Sequence, residues 1–314
     1  LYLGSFNFAT NASGTGSGTG GTVTLAYEYP SGLNVYSIGT GWGAGPWSRG
    51  GWGSAATIGI GQQLRIWTQD NFGEDLIFAP RGGEIFYWQA DLGTAYRGQP
   101  LSDLANTATY SGQFVPHATN QVIASSVNRF VIAFGCNDPS GTLFSTTIDP
   151  LLIRWSDQES VTMWTPSATN QAGSLRLSHG SEISSALQVR QEIIVWTDSS
   201  LYSLQYVGAP VVWGSTLLAD NISIIGPNAV IVASGVAYWM GKDKFYKYDG
   251  RVNTLRCDLR QYIFNDINLS QNYQVFSGTN EGFNEVWWFY CSNDTNVINK
   301  YIIYNLRNDI QYIL

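Results

Sequence analysis

The sequence predicts an all-β protein, a β-propeller of short antiparallel four-stranded blades with loop insertions. Three observations predict it: a strand-turn-strand unit that recurs along the second half, a near absence of helix signals, and a composition rich in aromatics and poor in charge. The clearest copy of the unit is Glu192 to Tyr206 (EIIVWTDSSLYSLQY): an apolar run ends on Trp196, a polar turn follows, and a second strand carries an aromatic. It returns at Val236 to Tyr248 (VAYWMGKDKFYKY) and, stretched, at Val286 to Tyr304, with an earlier form at Leu151 to Trp164. Trp155 to Trp196 is 41 residues, Trp196 to Trp239 is 43 and Trp239 to Phe289 is 50. A recurrence of roughly 40 to 50 residues built from short strands is the signature of propeller blades. Charged residues are 12% of the chain, about half the ~25% usual for soluble domains. Aromatics are 14%, including 12 Trp. So much apolar surface has to be buried, internally or against neighbours.

From the N-terminus, residues 1–61 read as a Gly/Trp-rich segment closing or flanking the propeller, and residues 62–314 as blades with an insertion near 90–121. Asn11 to Thr22 (NASGTGSGTGGT) is a Gly/Ser/Thr-rich loop. It lacks the Gly-Lys-Ser/Thr end of a phosphate loop. Gly41 to Ala55 sets Trp42, Trp47 and Trp52 five apart in Gly-rich pentads. In a straight strand that odd spacing would throw successive indoles onto opposite faces. The glycines and Pro46 permit turns, so the expectation is packing beneath the blades or at a subunit contact, with sugar binding by exposed indoles as the alternative. Leu64 to Trp88 holds three strand candidates (LRIWT, DLIFA and EIFYW), the last two joined across Pro80-Arg81-Gly82-Gly83. Ala90 to Gln121 is polar and long for a blade loop, and long loops in compact folds tend to be functional.

Val122 to Phe134 (VIASSVNRFVIAF) matches Val230 to Trp239 (VIVASGVAYW) as a hairpin turned at Val-Asn or Ser-Gly. On that alignment Phe134, not Trp155, corresponds to Trp239, so the phase of this blade stays open. Ile193 to Trp196 and Val230 to Ala233 are continuous apolar runs, as in strands covered on both faces. The strands that follow alternate, with Tyr202, Leu204 and Tyr206 on one face and Ser203 and Gln205 on the other, the mark of a half-exposed strand. Only Asp258 to Phe264 could make a helical turn or two, with Asp258 as N-cap. About five candidate blades result, or six to eight if strands are shared across the termini. The chain opens on Leu1 and stops mid-pattern at Tyr312-Ile313-Leu314, so it reads as part of something longer. No apolar stretch approaches the ~20 residues that span a bilayer.

The residues offer little chemistry. Cys136, Cys257 and Cys291 are odd in number and lack metal-ligand spacing, which favours buried small apolar residues over a disulfide framework or a zinc site. Asn11, Asn221, Asn268 and Asn293 open Asn-X-Ser/Thr sequons, a weak pointer to secretion. His117 and His179 stand near no nucleophile elbow. A propeller glycosidase needs paired carboxylates in a central pocket; Asp70, Glu74, Asp75 and Glu84 cluster in one blade but read as turn residues. A lectin would repeat its polar residues from blade to blade, whereas Thr197-Asp198-Ser199-Ser200 and Met240-Gly241-Lys242-Asp243 differ. No catalytic, metal or cofactor set is expected.

The pentads of Gly41 to Ala55, the run Gln63 to Trp88 (QLRIWTQDNFGEDLIFAPRGGEIFYW), and the hairpins Trp196 to Tyr206 and Tyr238 to Val252 together resemble the tail nozzle proteins of short-tailed bacteriophages, also described as tail tubular or packaged-DNA stabilisation proteins. The resemblance spans roughly Gly41 to Tyr304 and rests on structural motifs. It implies a homo-oligomeric ring in the virion tail, usually of six copies, distal to portal and adaptor. Such a ring contacts the tail adaptor protein and tail fibres, retains the packaged genome, and conducts it out at ejection. It carries no catalytic residues. A formal net charge of −7 opposes tight DNA wrapping and suits a conduit through which DNA passes without sequence-specific binding. The carbohydrate-binding propeller and the propeller glycosidase are the competing expectations.

Overall fold

The computed structural model describes residues 32–37, 63–106, 112–138 and 147–307, and the backbone of 310–313. Five four-stranded antiparallel sheets follow one another along the chain and form a five-bladed propeller. Blade 1 holds β1 (Trp67–Phe72), β2 (Asp75–Pro80), β3 (Phe86–Trp88) and β4 (Gln99–Pro100). Blade 2 holds β5 (Thr119–Ala124), β6 (Val131–Asn137), β7 (Ile148–Trp155) and β8 (Gly173–Arg176). Blade 3 holds β9 (Ile183–Val189), β10 (Glu192–Thr197), β11 (Ser200–Gly208) and β12 (Val212–Asp220). Blade 4 holds β13 (Val230–Ala233), β14 (Val236–Met240), β15 (Phe245–Tyr248) and β16 (Val252–Thr254). Blade 5 holds β17 (Phe276–Asn280), β18 (Glu285–Tyr290), β19 (Lys300–Asn305) and β20 (Ile310–Ile313).

The first strands of successive blades touch, β1 on β5, β5 on β9, β9 on β13 and β13 on β17, and so form the hub. Because each blade is a meander, its first-to-second and third-to-fourth connections fall at one end of the propeller, here the turn end. Second-to-third turns and the links between blades fall at the other, the crossover end. Two short helices lie on those links: α1 (Leu101–Ala105) between blades 1 and 2, and α2 (Arg260–Asp266) between blades 4 and 5.

Side-chain alternation decides how blades pack. Along β10, Ile193 and Val195 join the cluster shared with blade 2 (Ile132, Phe134, Ile153, Trp155). Their neighbours Ile194 and Trp196 join the cluster shared with Trp239 of blade 4 and Trp288 of blade 5. A strand whose two faces meet two different blades has no polar face to show, which is why its sequence is a continuous apolar run. Ile77 and Ala79 of blade 1 pack likewise on Val122, Val131 and Ala133 of blade 2. Blades 5 and 1 are brought together through Arg81, whose guanidinium lies 5.6 Å from the Tyr273 ring, and through the Tyr36 amide, which donates to Gln271 Oε1 at 2.9 Å while Arg65 N donates to Leu33 O.

Several expectations change. Trp155 lies on β7, the third strand of its blade, whereas Trp196 and Trp239 lie on second strands; Phe134 on β6 is the residue in phase. In blade 5 the buried counterpart is Trp288; Phe289 points to the opposite face and stacks on Phe276 at 4.6 Å. β11 is buried on both faces over Ser200 to Leu204, with Tyr202 and Leu204 in the cluster shared with blade 2 and Ser203 bonded to Glu192 beside Tyr248 of blade 4; only from Gln205 on does it alternate with exposed positions. The first strand of blade 1 begins at Trp67 rather than Leu64. Segment 90–121 is only partly an insertion, since it supplies β4 and the start of β5 around α1. The helix near 258–264 begins at Arg260 without a side-chain cap; Asp258 pairs with Arg256 at 3.1 Å instead. The two hairpins matched across blades hold, turning at Val127-Asn128 and at Ser234-Gly235, both of the latter at positive φ (51° and 75°), as a two-residue turn between right-twisted strands requires.

Candidate functional site at the propeller hub

The hub holds an open pocket of about 460 Å³ lined by residues on or just before the first strands of blades 2 to 5, among them Gln121, Ser185, Leu187, Asn228, Phe276 and Ser277. Most of its polar groups are occupied in joining blades. Gln121 Nε2 donates to Ala186 O at 2.6 Å, and Ala186 N donates back to Gln121 Oε1 at 2.8 Å, so one side chain imitates a strand between blades 2 and 3. Ser185 Oγ donates to Pro227 O at 2.7 Å. Ser277 Oγ donates to Asn228 O at 3.1 Å, beside a parallel bridge between Asn228 and Phe276.

Arg81 lies in the β2–β3 turn, at the crossover end of the propeller. The turn that carries it is pinned to β5, with Gly82 N donating to Thr119 O and Thr119 N to Gly83 O. Gly82 takes φ 78°, which favours glycine. Arg81 Nη1 donates to Ser184 O at 3.2 Å and to Asn120 O at 3.5 Å, and Nη2 to Ile183 O at 3.3 Å. The carbonyls of Asn120 and Ser184 immediately precede Gln121 and Ser185, so the guanidinium ties the β2–β3 turn of blade 1 to the first strands of blades 2 and 3.

The carboxylates of blade 1 do not converge. Asp70 accepts from Ala124 N at 2.9 Å, and burial raises its pKa. Asp75 accepts from the Tyr87 hydroxyl and from Ala90 N. Glu84 Oε1 lies 2.7 Å from Nδ1 of the buried His117, and Glu74 is exposed in the β1–β2 turn. His179 is exposed, with Nδ1 2.9 Å from Ser178 Oγ and 3.2 Å from the Tyr202 hydroxyl. The three cysteines are free thiols; Cys136 is fully buried, and burial pushes its thiol up to about 12. Among the described residues no group of His, Cys, Asp and Glu is arranged to hold a metal ion. Asn268 Nδ2 donates to Thr295 O and its Oδ1 accepts from Ser270 N, so this sequon residue ties a link between blades 4 and 5 to blade 5. Trp42, Trp47 and Trp52 lie outside the described residues. No described helix is long and apolar enough to cross a membrane.

Two polar centres escaped sequence reasoning. Glu192 accepts from Ser203 Oγ, Gln205 Nε2 and the Tyr248 hydroxyl, locking blade 3 to blade 4. Arg154, 1% exposed, donates to the carbonyls of Asn137 and Phe114 and lies over Trp164. The only signals were a charged residue inside the apolar run of β7, Arg154, and one opening the apolar run of β10, Glu192.

No protein-family model matches the chain, and no curated protein matches it. Among solved structures the chain is similar to the extracellular domain of a B. thetaiotaomicron protein described as a hybrid two-component system, with TM-score 0.41 and 12% identity, covering 78% of this chain and 28% of that one. It is similar to the computationally designed Ika8 protein, with TM-score 0.42 and 10% identity over 80% of this chain and 61% of that one. It is also similar to the AfRom2 CNH domain, with TM-score 0.40 and 9% identity over 77% and 81%. The chain thus spans less than two thirds of the first two.

Proposed function

We propose that the chain is a structural subunit of a bacteriophage tail nozzle ring, one that retains the packaged genome and lines the route of its ejection. The observation that carries this reading is the apolar rim at the turn end. Leu92, Tyr96, Val127, Val207, Val211 and Phe283 are 45–70% exposed there; Val207 stands near the end of β11, and the other five sit in connections that the meander sends to the same end. In a chain with 12% charged residues, apolar side chains gathered at one end offer a surface that another protein surface can cover. A closed ring needs two different complementary patches on each copy, and this rim supplies one. The occupant we assign to it is a second copy of the chain. The sequence motifs that resemble nozzle proteins, and an acidic balance that does not grip DNA, support the same reading.

Native mass spectrometry and negative-stain microscopy of the recombinant protein test it. The expected result is a closed ring, converted to monomers by Val211→Asp combined with Phe283→Asp. A monodisperse monomer at micromolar concentration overturns it.

A further inference from the structure

A closed ring needs a second patch on each copy, different from the first, and the crossover end holds an apolar surface that can serve. Leu259, Tyr262, Leu269 and Val297 are 39–67% exposed. Leu259 and Tyr262 lie at the start of α2, and Leu269 opens a 3₁₀ turn (Leu269–Gln274) on the same link between blades 4 and 5; Val297 lies in the β18–β19 loop. Link and loop both fall at the end of the propeller opposite the rim. They are tied into one platform. Asn268 Nδ2 donates to Thr295 O at 2.8 Å, Gln274 Nε2 to Asn296 O at 2.9 Å and Gln271 Nε2 to Asn296 Oδ1 at 3.3 Å. Arg260 joins the β14–β15 turn to them, with Nε donating to Asp243 O at 2.7 Å. Ile263 is buried and Phe264 packs on Phe245, which seats α2. A surface held this firmly loses little freedom when it is covered.

The charges around the two surfaces are complementary. Residues 242–260 carry six of the 16 Lys and Arg in a chain of net charge −7. At the platform margin Lys242, Lys244, Arg256 and Arg260 stand against Asp243 and Asp258, and Lys242 is exposed. At the rim, exposed Asp91 adjoins Leu92, and exposed Glu281 stands two residues before Phe283. Among the described residues neither carboxylate is in an ion pair. Opposite charges at the margins steer and align two surfaces whose apolar centres carry the affinity.

We infer that the platform is the surface covered by the rim of the next copy, so that copies join head to tail, turn end on crossover end. The inference rests on the ring reading and adds to it the second patch.

The test uses the full chain. Leu269→Asp combined with Val297→Asp blocks the platform, and Val211→Asp combined with Phe283→Asp blocks the rim; all four side chains are exposed, so both variants should keep the wild-type circular dichroism spectrum. Native mass spectrometry should show each variant alone as a monomer. Mixed in equal amounts they should form a one-to-one heterodimer and nothing larger, because the intact rim of one engages the intact platform of the other. Should the double platform variant fail to fold, Val297→Asp alone should weaken assembly by about tenfold or more. Rings formed by a platform variant as readily as by the wild type, or a mixture that stays monomeric, would overturn the inference. So would loss of the folded state in both platform variants, which would mark the face as one covered from within the chain. A wild-type protein that is itself monomeric overturns the ring reading and this inference with it, whereas a wild-type ring indifferent to the platform substitutions overturns this inference alone.

Discussion

The indole N–H groups of Trp196, Trp213 and Trp239 are buried and make no hydrogen bond. Their surroundings are aromatic: Trp196 meets Trp239 edge-on at 5.3 Å, Trp239 stacks on Tyr246, and Trp213 meets Phe130 and Tyr206 edge-on. Such contacts supply weak N–H···π attraction and large dispersion area rather than a conventional bond. Trp239→Phe should therefore cost far less than Trp239→Ala, for which about 3–5 kcal/mol is expected from transfer and cavity terms; equilibrium urea unfolding of the two variants checks this. The tyrosines give a pH prediction. Burial and the Glu192 carboxylate push Tyr248 up to about 12, and burial and the Asp266 carboxylate push Tyr290 up to about 12. A phenol whose folded pKa lies above its unfolded value near 10 keeps its proton longer in the native state. Its stabilising contribution is then complete below pH ~10 and lost as pH rises towards 12. Melting temperature should fall across that window, and Tyr248→Phe should flatten the fall. The tryptophans were legible in the sequence as strand-ending aromatics. Their burial without partners was not, because it depends on what the next blade presents.

At the scale of elements, blades are joined by single side chains as much as by clusters. Gln121→Ala removes both hydrogen bonds to Ala186 and leaves a buried backbone N–H without its acceptor. A loss of about 2–3 kcal/mol follows from an unsatisfied buried donor together with a lost bond. Amide exchange at Ala186 should accelerate in this variant by more than at the hairpin turns; uniform acceleration would place the effect elsewhere. The strand candidates of Leu64 to Trp88, the hairpins at Val127-Asn128 and Ser234-Gly235, and the doubled apolar run of β10 were all readable, because period and turn chemistry are local. The phase of blade 2 was not. Phe134 and Trp155 are both bulky residues at strand positions, and only pairing shows that one lies on a second strand and the other on a third. Asp258 does not cap the helix because α2 starts at Arg260 with Leu259 in the cap position, and its carboxylate pairs with Arg256 at the surface instead.

For the whole molecule, the rim of exposed aliphatic and aromatic side chains at the turn end sets the character of assembly. If the ring forms through it, association should persist or strengthen in 0.5 M salt, since apolar contacts are not screened and ion pairs are; sedimentation velocity at low and high salt reads this directly. Dissociation by salt would assign the contact to charges such as the exposed Arg129–Glu159 pair. The sequence by itself determined the all-β class, the blade recurrence and the free, buried character of Cys136 and Cys291, because these follow from side-chain periodicity and composition along the chain. Only the tertiary structure decided that the described blades number five, that Glu192 locks two of them, and that Arg81 from blade 1 reaches the carbonyls of Ile183 and Ser184 in blade 3. Contacts between residues about 100 positions apart are fixed by the closing of the ring, and no local pattern in the chain encodes which strands that closure brings face to face.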